Sequence, residues 1–588
     1  MTCFVGAYTK YGKFEINTYP SGPSNPSMGK RTKYPAFHSS DMKTKRASSI
    51  IIAFAIAIFF LAVLFFNLSL AVRSEVGRDE KMYVAVGILI SRLGLLPYRD
   101  FPLEHFPYHV LLEALLFKFT GYYFLAARFL SAVLATGTAV VVFFLSKQFA
   151  HHLKWPWQLF IAFGSVLLLI GNPLAVFTTG LAWNQVLSSF LAILGFMAFV
   201  QAYLKGRQIP EKDEKSHLIN PITGWLFASG LILGLAIGSR ISMLLLLPAF
   251  FIGILLLPGE PSSARFYKPA ILRNGLFFAA GLLIALMPLL YFFSIAPRQF
   301  IFENFTYHTL NTVFRQETNF SGPITFAEKW SYFWNTVMAM PGNLLVFLGV
   351  LFFGLALFGV GKPRTPTDDT ASSSDHPRNI TLLVTLLVLI LFSLVGSFIA
   401  SPTWLQYFYP VLPFAVLFIS YCVSILLPQD FSRLRLLSTP ALLFALLALL
   451  VTFYRVDDYR RVTFLRHPEA WRPLMMRQAG IDLRKVVPTG KVLTLTPFIP
   501  LEAGMQVYPV FIDMFFYRIL PYMSPEQRQV VGLPLLDDLK IELAADPPAA
   551  ILVGMEPIEE APLVEYAQSL GYNPVPISKT LTVWVPSP

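Results

Sequence analysis

Charge is scarce in this sequence. Asp, Glu, Lys and Arg make up 14% of its 588 residues, while 55% are hydrophobic. A soluble domain carries roughly 25% charged residues, and single apolar cores stop growing at about 250–300 residues, so this apolar excess has no water-soluble arrangement that hides it. Cysteine is scarcer still. Cys3 and Cys422 are the only two, one in a polar tail and one inside an apolar run, which excludes a disulfide framework and any Cys-based metal spacing. The spans themselves carry almost no ionisable residues, and no internal repeat of fixed period is present. Both absences argue against a transporter or flippase, which would be expected to show repeats and charges at the midplane.

What charge there is has a net value of +12. The basic residues fall in the N-terminal tail and in short connectors, a distribution that fits anchoring at an anionic membrane face and not a nucleic-acid groove. Residues 1–48 read as a disordered, basic cytoplasmic tail. Apolar runs of about a bilayer's length follow at 49–72, 123–146, 157–172, 183–204, 221–238, 241–257, 271–293, 342–361, 379–400, 405–427 and 438–454. The sequence therefore predicts an α-helical polytopic membrane protein of about eleven spans over 49–454. Alternate connectors carry Lys147 and Lys154, Lys205 to Lys215, Arg265 to Arg273, Lys362 to Arg378, and Arg433 and Arg435. The positive-inside rule then puts the N-terminus in the cytoplasm, with 361–379 a flexible inner connector. The first loop (73–106), residues 294–341 and everything after about 455 fall outside. The stretch 107–119 is apolar but interrupted by Glu113 and Lys118, and reads as a helix lying on or dipping into the interface.

Residues 455–588 read as a small extracytoplasmic α/β domain. Val492–Thr496, Ala550–Val553 and Thr580–Val585 have the character of strands. Pro525–Val531, Leu535–Ala545 and Pro562–Leu570 have that of helices, the last closed by Gly571.

The chemistry concentrates in the first loop. From Asp79 to Leu93 the apolar residues Met82, Tyr83, Val86, Leu89, Ile90 and Leu93 recur at helical spacing, an amphipathic helix suited to the interface plane. Asp79 heads its apolar stripe, either as a first-turn charge on open amides or as a carboxylate aimed into a site. Arg128 opens the second span, and Arg240 stands in Gly238-Ser239-Arg240 between two apolar runs. Such arginines either snorkel to headgroups or bind phosphate. Tyr307 and His308 lie in the second large loop, and Gln406-Tyr407-Phe408-Tyr409-Pro410 opens a late span in the manner of an aromatic belt. Asn304 and Asn319 carry Asn-x-Ser/Thr sequons.

The pair Asp79-Glu80 soon after a first span, then Gly94-Leu-Leu-Pro97-Tyr98-Arg99-Asp100-Phe101 and His105-Phe106-Pro107, resembles the C superfamily of membrane glycosyltransferases. Within it, the pattern is similar to that of protein O-mannosyltransferases and lipid A aminoarabinose transferases. The likeness runs through Gly121 and Ala126-Ala127-Arg128, and Phe106 stands where relatives often have Pro. It implies a GT-C-like fold and an inverting transferase. The donor would be a polyprenyl-phosphate sugar and the acceptor a hydroxyl on protein, lipid or glycan, with transfer outside the plasma membrane of a bacterium. It implies Asp79 as base, Glu80 as its neighbour, and Asp100, Glu104, His105, Arg128, Arg240, Tyr307, His308, Gln406 and Tyr407 as binding residues. A divalent metal is compatible with it, although no metal-ligand spacing stands out. The competing readings are a lipid-linked-glycan flippase and an O-antigen-ligase-like polymerase, the latter expected to rest on Arg and His in a late loop.

Overall fold

The computed structural model describes residues 39–206, 220–257, 268–318, 320, 322–359, 380–427, 438–533, 539–556 and 559–587. Residues 1–38 of the tail, the connector 361–379, the Asn319 sequon and the basic residues Arg207, Lys212, Lys215, Arg265, Arg433 and Arg435 lie outside them. Among the described residues, seven helices are long and apolar enough to cross a membrane, and up to ten if each of three bent pairs is one span. The chain is an integral membrane protein.

In their described residues, all eleven apolar runs fall on helices. The difference in count has a geometric cause. Trp155–Ile170 breaks by 63° into Pro173–Thr179, and Pro341–Leu357 follows Phe326–Met338 through 102°. Ile241–Leu255 is a shorter apolar helix. It begins with the 3-10 turn Ile241–Leu246, and Pro248 stands in the first turn of its α-helical part, Leu247–Leu255. That leaves too few α-helical residues for a full crossing.

Helix α1 (Ser39–Arg73) ends at the first loop. The loop then forms α2 (Arg78–Leu93) and α3 (Tyr108–Phe117), and the second span is α4 (Tyr123–Phe149). The periodicity that predicts α2 is correct, and protein covers both of its faces. Every residue from Glu80 to Leu89 is buried, because α3 covers one side and the C-terminal helix Phe498–Glu502 another. Even Lys81 is covered and pairs with Glu556 at 2.8 Å.

Pro221–Ser239 crosses Lys268–Ile295 with no room for a side chain at the crossing. A Cβ on Gly281 would press on the Phe227 carbonyl oxygen, and one on Gly230 on that of Phe278. Backbone cannot yield as a side chain can, so Gly281→Ala should cost about 1–3 kcal/mol by overpacking. Thermal unfolding of the purified variant should show the loss; an unchanged midpoint would mean the helices cross less tightly.

The C-terminal region folds on a five-stranded sheet ordered β2-β1-β3-β5-β4. β1 (Lys491–Leu493) runs parallel to β2 (Gln506–Val507) and β3 (Ala550–Val553), while β5 (Thr582–Val585) is antiparallel to β3 and β4 (Asn573–Pro576). The three expected strands are present. β2 has only two residues, and β4 carries Pro574 and Pro576 at the sheet edge, where proline is tolerated but masks the pattern. Pro525–Val531 and Ala561–Ser569 are helical as expected, and Gly571 takes the left-handed conformation at φ 72°. In the third segment, Leu539–Glu542 is helical and 534–538 lie outside the described residues.

Candidate active site

The site is built on the N-terminus of α2. Gly77 is the N-cap, and its amide donates to Glu80 Oε1 at 2.5 Å in a capping-box arrangement. Glu80, not Asp79, therefore satisfies the helix end. Glu80 is fully buried, and its second oxygen accepts from the Ala182 amide at 2.9 Å. Both oxygens also take the fork of Arg128, Nε to Oε2 at 2.9 Å and Nη2 to Oε1 at 2.5 Å.

Arg128 has no donor to spare. Nη1 bonds the carbonyls of Ala71 (2.7 Å) and Ser74 (3.0 Å), and Nη2 that of Glu75 (2.9 Å). A guanidinium has five N–H groups, and all five are occupied, so the phosphate role expected of Arg128 has nothing to offer a ligand. Together Glu80 and Arg128 lock the turn joining α1 to α2.

That lock leaves Asp79 at the second helical position, half-buried, with no side-chain hydrogen bond among the described residues. Burial lifts its pKa to about 6; Arg240 favours the anion, while Asp513 and Glu80 oppose it. One turn on, Tyr83 is buried with its hydroxyl unpaired among the described residues.

Arg240 reaches this place because helix Pro221–Ser239 stops there. A Cβ on Gly238 would overlap the ring of Tyr108, whose hydroxyl holds the Ala285 carbonyl at 2.5 Å. Arg240 then donates to Asn184 Oδ1 and Ser242 Oγ, both at 3.0 Å, and its guanidinium lies 4.4 Å from the Tyr407 ring centre. Gln406 is buried in the same 3-10 turn, Leu405–Phe408.

The Gly94–Phe101 motif is a tight loop with a structural task. Tyr98 takes φ 69°, costly for a residue with a side chain, and in doing so buries its ring against Phe300 at 4.9 Å and donates its hydroxyl to the His105 carbonyl at 2.7 Å. Asp100 staples the loop, accepting from the Leu96 amide at 2.8 Å and pairing with Arg99. It does not join the other candidates. Phe106 stacks on Phe300 at 5.8 Å, so the aromatic found in place of a proline ties the first loop to the second.

His105 and His308 face each other with ring centres 6.2 Å apart. Burial holds His105 well below its usual pKa and His308 down to about 4, with Arg240 adding to both. Both are neutral imidazoles at pH 7, donors without charge. Tyr307 is buried against Phe516 at 4.8 Å. Asn304 is buried and donates to the Phe300 carbonyl, so its sequon faces inward.

Residues outside the expected set complete the cluster. Glu303 Oε2 accepts from the Leu103 amide at 2.7 Å. Asp513, fully buried, caps Met514–Ile519 through the Phe515 amide at 2.8 Å and meets Glu104. Burial and then Asp513 raise the Glu104 carboxyl well above the ordinary range, and burial raises that of Asp513 as well. Glu303 sits in the π turn Phe302–Thr306, a feature that gathers at functional sites but is visible only in the structure. Asp513 lies more than 400 positions from the loop it serves, and no local pattern announces it. No group of three or more His, Cys, Asp or Glu side chains placed to hold a metal ion occurs among the described residues.

No protein-family model and no curated protein matches this sequence. Among solved structures, the chain is similar to ArnT from Cupriavidus metallidurans bound to undecaprenyl phosphate. They share 15% identity over 90% of this chain and 98% of that one, with a TM-score of 0.57. The same protein in the apo state aligns at 13% identity over 91% and 98%, TM-score 0.52. AglB from Archaeoglobus fulgidus, in complex with an inhibitory peptide and a dolichol-phosphate, aligns at 11% identity over 86% and 70%, TM-score 0.49. The chain has the fold of ArnT, the GT-C fold.

Proposed function

We propose that this chain is an inverting glycosyltransferase that moves a sugar from a polyprenyl-phosphate donor to an acceptor hydroxyl. Transfer takes place on the outer face of a bacterial plasma membrane, with the N-terminus in the cytoplasm. The observation that carries the reading is the junction of Asp79, Arg240 and Tyr407. An unbonded carboxylate at the head of a buried helix lies within electrostatic reach of a guanidinium held by Asn184, Ser242 and an aromatic ring. The fold it shares with an undecaprenyl-phosphate-bound transferase supports a lipid-linked donor.

In this reading the acceptor oxygen attacks the anomeric carbon as Asp79 takes its proton. The bond from that carbon to the phosphate oxygen breaks, and the polyprenyl phosphate leaves with the electron pair. Arg240 meets the growing charge, and the neutral His105 and His308 add hydrogen bonds without competing for the proton. Glu80 and Arg128 position the turn, while Glu104, Tyr307, Gln406 and Tyr407 wall the site.

A base with a pKa of about 6 is ionised at pH 7 and lost below it. The rate should therefore rise from pH 5 to 7 and level off above. Because Arg240 lowers the Asp79 pKa, Arg240→Gln should move the rising limb to higher pH as well as slowing transfer. A profile whose acid limb stays in place in Arg240→Gln would separate the two residues.

A further inference from the structure

The cations that flank Asp79 and Glu80 are tied to the far end of the sequence. Arg78 opens α2 and Lys81 follows it by three residues, on the same side of the helix. Both reach Glu556: Lys81 Nζ lies 2.8 Å from Oε1 and Arg78 Nη2 3.6 Å from Oε2. Arg518 Nη2 approaches the same carboxylate at 3.9 Å, although its closer partner is Glu559. Lys81 and Glu556 are buried, while the Arg78 side chain is 53% exposed.

Glu556 is itself held in place. Open α/β sheets put their working groups beyond the carboxyl ends of parallel strands, and Glu556 stands just past that end of β3. The turn between them is fixed by Glu560, whose Oε2 accepts from the amides of Gly554 at 2.7 Å and Glu556 at 3.1 Å. Gly554 takes φ 121°, and a Cβ there would overlap the Thr580 carbonyl oxygen. A backbone so constrained delivers the Glu556 carboxylate to one place.

Asp79 feels this arrangement through Arg78. From other elements Arg240, Asp513, Glu104 and Tyr407 act on Asp79, and from its own helix Arg78, Glu80 and Tyr83. The cations in that set are Arg240 and Arg78. Arg240 is fixed by Asn184 and Ser242; Arg78, half in water, is held by Glu556. A long side chain left free would carry its charge out into solvent, where screening weakens it. We infer that Glu556 is a positioning residue for the transfer, through which the C-terminal region keeps the Arg78 guanidinium beside the catalytic base. The inference rests on the proposed transfer for the role of Asp79, and on the ion pairs of Glu556 for the coupling of the two regions.

The test is the pH profile of transfer by the full chain in detergent. The position of its acid limb does not depend on how much of the protein is folded, so a loss of stability does not imitate a shift. Arg78→Gln should move the limb up by about half a pH unit, the scale of one partly screened charge, and Arg78→Lys should leave it near the wild-type place. Glu556→Gln is combined with Lys81→Met, so that no buried ammonium is stranded and the net charge is unchanged. This double variant should move the limb in the same direction as Arg78→Gln. Adding Arg78→Gln to it should move the limb little further, the mark of two residues on one path. A limb that stays at the wild-type pH in Arg78→Gln or in the double variant, or shifts that simply add, would overturn the inference while leaving the base assignment intact. A wild-type enzyme with no acid limb, or normal transfer by Asp79→Asn, would instead overturn the proposed transfer and the inference with it.

Discussion

Asp79→Asn is expected to slow sugar transfer by about 10²–10⁴-fold, the usual contribution of general base catalysis, while leaving the fold intact. The second half of that expectation comes from the helix end. Gly77 caps α2 and Glu80 closes the capping box, so Asp79 does no capping that Asn would have to replace. Its side chain makes no hydrogen bond among the described residues, and Asn has nearly its volume. Burial that lifts the carboxyl to about 6 is a modest cost of folding that the amide would relieve. The variant should therefore unfold at or above the wild-type midpoint, and its rate should be measured at matched expression from pH 5 to 8. A slow variant with a lowered midpoint would be a folding defect; normal turnover would remove Asp79 from the chemistry.

Arg128→Ala should do the opposite, destabilising the protein first. The guanidinium and the Glu80 carboxylate are both fully excluded from solvent, and removing one partner of such a pair strands a buried charge at about 3–5 kcal/mol. Three carbonyls at the end of α1 lose their donors as well. Arg128→Lys should recover little, since a point charge cannot serve five acceptors in a fork. Arg128→Leu combined with Glu80→Gln should recover more, because no charge is then left buried. Thermal unfolding decides: an Arg128→Ala variant with a normal midpoint and weak donor binding would restore the phosphate role.

The spans were legible because lipid imposes one requirement, apolar sequence of sufficient length, that leaves a direct trace. Helix α2 was legible by period, but not its burial. An amphipathic pattern reports two faces, and Lys81 and Glu80 look solvated until Glu556 and Arg128 are brought to them from 475 and 48 residues away. The same blindness separates Asp79 from Glu80 and from Arg128. Adjacent acids and an arginine at a span's outer end carry equal weight in sequence, and only the count of donors and acceptors tells a lock from a site. Asp100 shows the reverse error. Its motif is informative, yet what the motif builds is the Tyr98 loop that fixes the His105 backbone. Asp513 left no local trace, because its place beside Glu104 is made by docking of the C-terminal sheet region on the first loop.

The central claim is that a lipid phosphate is held against Arg240 in front of Asp79. An electron cryomicroscopy structure of the purified chain with added polyprenyl phosphate tests it without knowledge of the sugar. The account predicts phosphate density against the Arg240 guanidinium, within hydrogen-bond reach of His105 or His308, with the prenyl chain running away into lipid. Phosphate density remote from Arg240, with the space before Asp79 filled by side chains, would contradict it.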